Sequence, residues 1–557
     1  MSRRPVVVVA LLVALVAAPV LMVLHHATVQ PLPGRVAIRD ALRSESVIHS
    51  LVGTHWTTAS ASALDGRLER VSFFDGAKTV TEVAVDANGT IAGIEEFGRR
   101  SVPFGNYQAY QRSLLVVLSL MFILMLGVVP LRRMRNLDVL AVLSLLAAVI
   151  LYQHGYLRSS VLAVLPGLGY LSLRCAWRGL VSDGGQADST PIFEWATRSL
   201  DPGRRVRVLR VLLLALALVL AVIGVSSPNA IDVAYAAMEG ATQIIHGLLP
   251  YGHMPGDVIH GDTYPILSYA LYAPLAWVAP VGSILSPIDG MLDAAVLAAL
   301  VTAAVLYRAA AGRRSRPRDL RAEAAGLRAA IAWLSFPPLM IIVSTGTTDV
   351  ALGMMLAFAV LLWRRPAASM AVLALAGWFK LAPFALVPVW LAPLRGRRLA
   401  GALGGFAAVS AATIGLVLAL GGVHGPAAML HAVAYQFSRS TLQSPWVALG
   451  ITTLQPIGQA CVLALIAAAA ARLALSSELA ADRARIAALS AAILIALQLV
   501  SNYWTFFYLA WILPLACLSL FAEPAGATVL TSARERVRES SPAAQVSDLT
   551  PVLTEVP

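Results

Sequence analysis

Residues 208–225 read Val-Leu-Arg-Val-Leu-Leu-Leu-Ala-Leu-Ala-Leu-Val-Leu-Ala-Val-Ile-Gly-Val, with Arg210 the one charge. As a helix rising about 1.5 Å per residue, this run is about 27 Å long, close to the ~30 Å hydrocarbon core of a bilayer. Comparable runs lie near 5–24, 114–130, 139–152, 161–177, 264–281, 291–308, 327–344, 349–363, 367–380, 381–394, 399–421, 452–474, 484–500 and 503–521. The 557 residues are 58% hydrophobic and 13% charged, with a mean hydropathy of +0.75. A soluble protein carries nearer a quarter charged residues. The expected fold is therefore an all-α polytopic membrane protein of about 14 transmembrane helices, multi-pass in the plasma membrane.

The net charge of +12 sits mostly between the runs, at 132–135, 204–207, 313–318, 364–365 and 395–398. Lys and Arg in short loops mark the cytoplasmic side. No basic patch is interleaved with aromatics, so nucleic acid is not an expected partner. Cys175, Cys461 and Cys517 lie in apolar runs and give neither a disulfide framework nor a zinc spacing. Ser2-Arg3-Arg4 ahead of 5–24 fits a signal peptide or an anchor. The stretch is longer than a signal core and ends in no convincing cleavage site, so residues 1–25 are assigned an uncleaved anchor with a cytoplasmic N-terminus.

Residues 26–112 are soluble in character and expected outside the cytoplasm. Ile38, Leu42, Ile48 and Leu51 recur near helical spacing. Stretches 70–74, 78–85 and 90–97 read as strands, the last two joined at Asn88-Gly89, a strong hairpin signal. The expected module is a small α+β domain, one helix against a short antiparallel sheet. In element order alone it resembles PepSY-like and cystatin-like modules. A three-helix membrane segment (113–177) follows, then a cytoplasmic linker (178–207) marked by Ser182-Asp183-Gly184-Gly185. A second membrane module spans 208–521, and 522–557, rich in Ser, Thr, Pro, Arg and Glu, reads as a disordered cytoplasmic tail. One conflict arises in the span count. If 264–281 and 291–308 both crossed, the basic cluster at 313–321 would lie outside. Pro265, Pro274 and Pro280 make 264–281 the expected broken or re-entrant segment.

Asp232 stands just past the 208–225 run, ahead of a polar Gly/Pro/His-rich stretch. An acid at a lipid–water border is costly and points to function; the same residue equally suits a cap for helix 233–245. The span count puts Asp349, Lys380, Arg439 and Asn502 at the same boundary. Lys380 suits a cation for an anionic substrate, or a lysine snorkelling to the interface. The order Lys380-Leu-Ala-Pro383 favours the first, whereas for Arg439 the plain interfacial reading weighs at least as much. His246, His253 and His260 recur every seven residues, but Pro250, Pro255 and the glycines break any helix that could align them. A metal site with Asp257 or Asp262 is therefore the lesser reading. Tyr251, Tyr264, Tyr269 and Tyr272 read as an interfacial belt rather than a sugar-stacking platform. Asp349 reads as a helix cap rather than a second acid.

Four stretches share this boundary: Asp232-Val-Ala-Tyr235 through Gly247-Leu-Leu-Pro250-Tyr251; the loop 253–262 into Tyr264-Pro265-Ile266-Leu267; Gly377 to Pro383; and Ser501-Asn502-Tyr503-Trp504. In order and side they resemble the GT-C superfamily of integral membrane glycosyltransferases. Within it the resemblance is to glycosyltransferase family 87, the polyprenyl-phosphate-sugar-dependent mannosyltransferase-like group. That group's Asp-x-x-x-Tyr is met by Asp232 and Tyr235, one residue closer, and its Gly-x-x-Pro-Tyr by Gly247 with Pro250-Tyr251. Its Tyr-Pro-Pro-Leu is met by Tyr264 to Leu267 with Ile266 in place of the second proline, and its Lys-x-x-Pro by Lys380 and Pro383. The resemblance covers 208–520 and departs at two places. Gly346-Thr347-Thr348-Asp349 stands where a Gly-Gln pair is usual, and Asn502 to Thr505 where a histidine pair is usual. Both bear on donor sugar and phosphate handling.

The resemblance implies a GT-C-like catalytic module over 208–521. Such an enzyme moves a sugar, mannose-like or other (a hexose or pentose), from a polyprenyl-phosphate donor to a bacterial cell-envelope glycan or glycolipid. It works on the extracytoplasmic face, with inversion. Asp232 is then the general base. Lys380 first, and Arg439 second, hold the leaving phosphate, with His253 or His260 as helpers. Tyr235, Tyr251, Tyr264 and Asn502 complete the implied substrate-binding set. No cofactor or resident metal is expected; the donor is itself a lipid-linked sugar, and membrane lipid is the remaining partner. The rival classes are a transporter or flippase of lipid-linked sugars, and an envelope sensor or scaffold working through the 26–112 module. No convincing internal repeat speaks for the transporter.

Overall fold

The 208–225 run lies in helix Pro202–Val225, and helices of this kind build most of the chain. The computed structural model describes residues 33–65, 68–76, 78–96, 109, 111–181, 189–225, 230–254, 261–278, 287–312, 319–438 and 441–521. The expected anchor at 1–25, the tail at 522–557 and the basic residues 313–318 lie outside the described residues.

Among the described residues, six helices are long and apolar enough to cross a membrane: Met134–Gln153, Leu157–Leu180, Pro202–Val225, Gly290–Ala311, Gly396–Phe437 and Thr452–Leu475. A seventh is made if Leu320–Leu334 and Pro337–Val343, bent by 60°, count as one span. Most of the other expected spans fall on shorter apolar helices: Arg112–Leu126, Asp349–Leu361, Pro366–Phe379, Ala382–Leu391 and Phe506–Ser519. A helix of about 14 residues is only ~21 Å long. The Leu509–Ser519 part of the last of these is buried among other helices instead of facing outward, as is Pro337–Val343 of the bent pair.

Side-chain contacts gather the basic loops at one end of the bundle. Arg210 pairs with Glu323 at 2.5 Å and Arg328 with Glu194 at 3.1 Å. Arg485 donates to the carbonyls that end helix Leu157–Leu180, reaching Val181 O at 2.8 Å, and Arg472 donates to Leu180 O at 3.2 Å. Free carbonyls at a helix C-terminus carry partial negative charge, which accounts for the arginines there.

The 264–281 segment is broken, as its prolines lead one to expect. Its described part forms helices Leu267–Ala270 and Ala273–Val278, only four and six residues long, both packed on helix Asp232–Ile245. Helix Pro287–Ala311 then runs from Met291 and Leu292, beside Gly346, toward the basic end, where Tyr307 and Ala311 pack on Gly326. The described part of this segment is thus two short helices and not one continuous span, the form a turn-back would take, and the Arg210–Glu323 pair sets Arg321 at the same end as Arg204.

Residues 34–96 form helices Gly34–Arg43 and Glu45–Leu51 on an antiparallel sheet of four strands in sequence order: β1 (Thr58–Asp65), β2 (Leu68–Asp75), β3 (Lys78–Asp86) and β4 (Ile91–Glu96). The sequence reading had one helix and three strands. Ser44 takes an extended conformation that splits the helix. Asn88-Gly89 makes the expected turn, with Gly89 at φ 82°. Ala37, Ala41 and Val47 close over Val71, Phe73, Val83 and Val85. The opposite face sets Leu68 and Ala84 against Leu442 and Val447 of the membrane module.

The two-ended arrangement predicts a labelling pattern. In a background with the three native cysteines replaced, cysteines at Arg204 and Arg321 react with an impermeant maleimide from one side of the membrane and a cysteine at Val423 from the other. Labelling of position 321 from the Val423 side contradicts the turn-back at 264–278.

Candidate functional site

The end opposite the arginines is organised by the buried loop Ser344-Thr345-Gly346-Thr347-Thr348. A buried loop must satisfy its own polar groups. Ser344 and Thr345 donate their hydroxyl protons to Ile341 O and Ile342 O at 2.9 and 2.7 Å. Gly346 turns the chain at φ 66°, where an added Cβ would press on Ala234, Leu292 and Met291. Two acidic residues flank this loop in space.

The first is Asp232. Ile231 N–H donates to Thr345 O at 3.1 Å, which fixes the start of helix Asp232–Ile245 on the loop. The N-cap position is Ile231, and no side chain caps the helix. The Asp232 carboxylate accepts from the adjacent Val233 N–H at 2.8 Å and is exposed. A cap would bond one of the next N–H groups along; Asp232 does not serve as one. Tyr235, one turn on, is also exposed and shares its face of the helix. Ala234 and residues 236–241 are buried, so the helix anchors an acid at its open end.

The second is Asp349, which is 2% exposed. Its sequence position suggests a cap; instead the N-cap of helix Asp349–Leu361 is Thr348, which makes no capping bond. Oδ1 accepts from Lys380 Nζ at 2.6 Å and from Trp511 Nε1 at 2.7 Å, and Oδ2 from Thr347 Oγ1 at 2.5 Å. Lys380 ends helix Pro366–Phe379 in an extended conformation and turns its ammonium inward, 8% exposed, so it does not snorkel. The ammonium also lies 5.6 Å from the ring centroid of Trp511, 5.7 Å from Tyr264 and 5.9 Å from Tyr508. Aromatic faces stabilise such a cation, the more so where water is excluded. Ser268 donates its hydroxyl to Phe379 O, which ties the turned-back segment next to Lys380.

The remaining expected site residues divide. Tyr264 joins the site through its ring over Lys380. Tyr251 is buried and donates its phenol to Tyr264 O at 2.9 Å. Burial, with the Asp262 charge nearby, pushes that phenol well above its ordinary pKa, so it remains a donor. Tyr251, Tyr269 and Tyr272 are 5%, 0% and 6% exposed; they pack inside the fold and do not form an interfacial belt. His253 places Nδ1 3.2 Å from Tyr251 O. Asn502 latches two neighbouring segments. Its Oδ1 accepts from Gln455 Nε2 at 2.6 Å, and its Nδ2 donates to Phe437 O at 2.9 Å. His260 and Arg439 lie outside the described residues. Among the described residues, no three His, Cys, Asp or Glu side chains gather as a metal site would require.

Trp511, Tyr508 and Thr347 were not foreseen as partners of the pair. Comparison with protein-family models, curated proteins and solved structures finds no match.

Removing one partner of a buried ion pair leaves an uncompensated charge and costs about 3–5 kcal/mol. Asp349→Asn and Lys380→Met should each lower the thermal midpoint of the detergent-solubilised protein. The double variant should be more stable than either single one. A double variant as unstable as the sum of the two would show that the charges do not act as a pair.

Proposed function

We propose that this chain is a membrane glycosyltransferase that moves a sugar from a polyprenyl-phosphate donor to a cell-envelope glycan or glycolipid, with Asp232 as general base. The observation that carries the reading is the Asp232 carboxylate, exposed and free of capping duty, on a helix seated against the loop that leads to the Asp349–Lys380 pair. The motif order of the GT-C superfamily, in its family-87-like form, supplies the word sugar. In this proposal the basic end is cytoplasmic with both termini. The site end and the 34–96 module face the envelope, and the shorter apolar helices complete a GT-C-like count of about 14 membrane helices.

In the proposed step the acceptor hydroxyl attacks the anomeric carbon while its proton passes to Asp232. The bond from that carbon to the phosphate oxygen breaks, its electron pair leaves with the lipid phosphate, and the configuration inverts. Lys380 is a buried cation 5.7 Å from the Tyr264 ring centroid. Asp349 already neutralises it, so a phosphate would draw on the ammonium's remaining N–H groups and gain less than from an unpaired lysine. Tyr235 flanks the base on the exposed side.

Membranes containing wild type or Asp232→Asn, supplied with radiolabelled polyprenyl-phosphate sugars and an envelope acceptor extract, test the reading. Loss of the base should slow transfer about 10²- to 10⁴-fold with the protein still folded. Equal transfer by both proteins removes Asp232 from the chemistry. Transfer by neither, with lipid-sugar translocation intact, assigns the chain to transport.

A further inference from the structure

At the basic end, two loop segments build a platform on the tips of the apolar helices. Val128–Val129 pairs antiparallel with Thr190–Pro191, and Ile192 N–H donates to Gly127 O at 2.9 Å. The Asn136 amide fixes the loop between helices Arg112–Leu126 and Met134–Gln153. Its Oδ1 accepts Val128 N–H at 2.8 Å, and its Nδ2 donates to Val128 O at 2.8 Å and Leu131 O at 2.9 Å. On the other segment, helix Ile192–Ala196 buries Phe193 and packs on helix Arg112–Leu126. Arg205 closes the turn that follows, donating to Arg198 O at 3.1 Å and Leu200 O at 3.0 Å, just where helix Pro202–Val225 starts. The tips of three helices are thereby tied together.

What the platform exposes is apolar and basic at once. Leu131 is 71% exposed, Met134 53% and Trp195 51%. Side chains of that size gain from leaving water. Met134 leads into the exposed Leu137 and Leu140 of its own helix. Arg207 stands on the same face of helix Pro202–Val225 as the exposed Val211, Leu214 and Leu218. The platform therefore continues stripes that face lipid. Residues 127–136 and 190–207 hold seven arginines and two acids. Both acids are already paired, Glu194 with Arg328 at 3.1 Å and Asp201 with Arg204 at 3.1 Å. Arg135 turns inward to Leu126 O at 2.8 Å. Arg132, Arg133 and Arg198 point the other way and are exposed, the Arg198 guanidinium 5.9 Å from the Trp195 ring centroid.

We infer that this platform is a docking site for the headgroups of anionic phospholipids. Leu131, Met134 and Trp195 enter the bilayer interface, as amphipathic and aromatic side chains do at that depth. Arg132, Arg133 and Arg198 take the phosphates, which suit the two-pronged guanidinium. The position of the platform at the ends of lipid-facing stripes selects a membrane lipid over a partner protein. A headgroup held there bridges the tips of helices Arg112–Leu126, Met134–Gln153 and Pro202–Val225.

The test uses the full-length protein with its three native cysteines replaced and a fluorophore on Leu131→Cys. It is placed in vesicles of equal parts phosphatidylcholine and phosphatidylglycerol, a small share of one or the other carrying a spin-label quencher near the headgroup. Spin-labelled phosphatidylglycerol quenches more strongly than spin-labelled phosphatidylcholine. Arg132→Gln, Arg133→Gln and Arg198→Gln each lower that preference by up to about fivefold, the contribution of one cation at an anionic surface, and the triple variant shows none. Salt supplies the same test without substitution. Screening shortens the reach of charge from about 10 Å at 0.1 M to about 3 Å at 1 M, so the wild-type preference fades across that range. Equal quenching by the two lipids at low salt leaves an apolar contact only and overturns the inference. Quenching by neither places the platform away from the bilayer, as a protein-docking surface would be, and also overturns it. The same preference at a fluorophore on Val423→Cys, at the opposite end, traces the effect to the net charge of the whole protein and does so too.

Discussion

A carboxylate and an ammonium, both withdrawn from water inside an apolar bundle, have to find each other. Asp349 and Lys380 do so at 2.6 Å, and much of the site end follows from that meeting. The pair joins the start of one helix to the end of another, and Trp511 brings in a third. Ser268 on Phe379 O places the turned-back segment against the same corner, and Ile231 on Thr345 O places Asp232. A buried ion pair is a poor source of net stability, because desolvation offsets most of the Coulomb gain. Its contribution here is register: it fixes where three helices and a loop stand relative to one another.

That fixed corner gives the two acids different roles. Asp349 is surrounded by donors and closed off from water, so it organises. Asp232 is exposed at the end of a buried helix, so it is available for proton transfer. The aromatic rings around Lys380 hold the cation without neutralising it, while Asp349 does neutralise it. The lysine is therefore better suited to orient an anionic group than to attract one from a distance.

The sequence was legible where physics acts locally. Apolar runs marked the long helices, arginine clusters marked one end, prolines marked the break into two short helices within 267–278, and Asn88-Gly89 marked the hairpin. It was less legible where partners are distant. Lys380 and Asp349 are 31 positions apart and Trp511 is a further 131 beyond Lys380, so no spacing announces their contact. Asp349 resembled a cap because aspartate at a helix start so often is one. Nor does any spacing announce that the Asn502 amide bonds Gln455 and Phe437. Strand β1, Thr-Ala-Ser-Ala-Ser-Ala-Leu-Asp, escaped notice because it lacks the β-branched and aromatic alternation of its neighbours. Its place in the sheet comes from pairing with β2, a tertiary effect.

Among the described residues, the N-terminal sheet packs on the bundle through Leu68 and Ala84 against Leu442 and Val447. The claim that most needs testing is direct displacement by one base. Proton NMR of the linkage formed by the purified protein, from a lipid-phosphate donor of known anomeric configuration, tests it most directly. The account predicts the opposite configuration in the product; a retained configuration would contradict a single displacement assisted by Asp232.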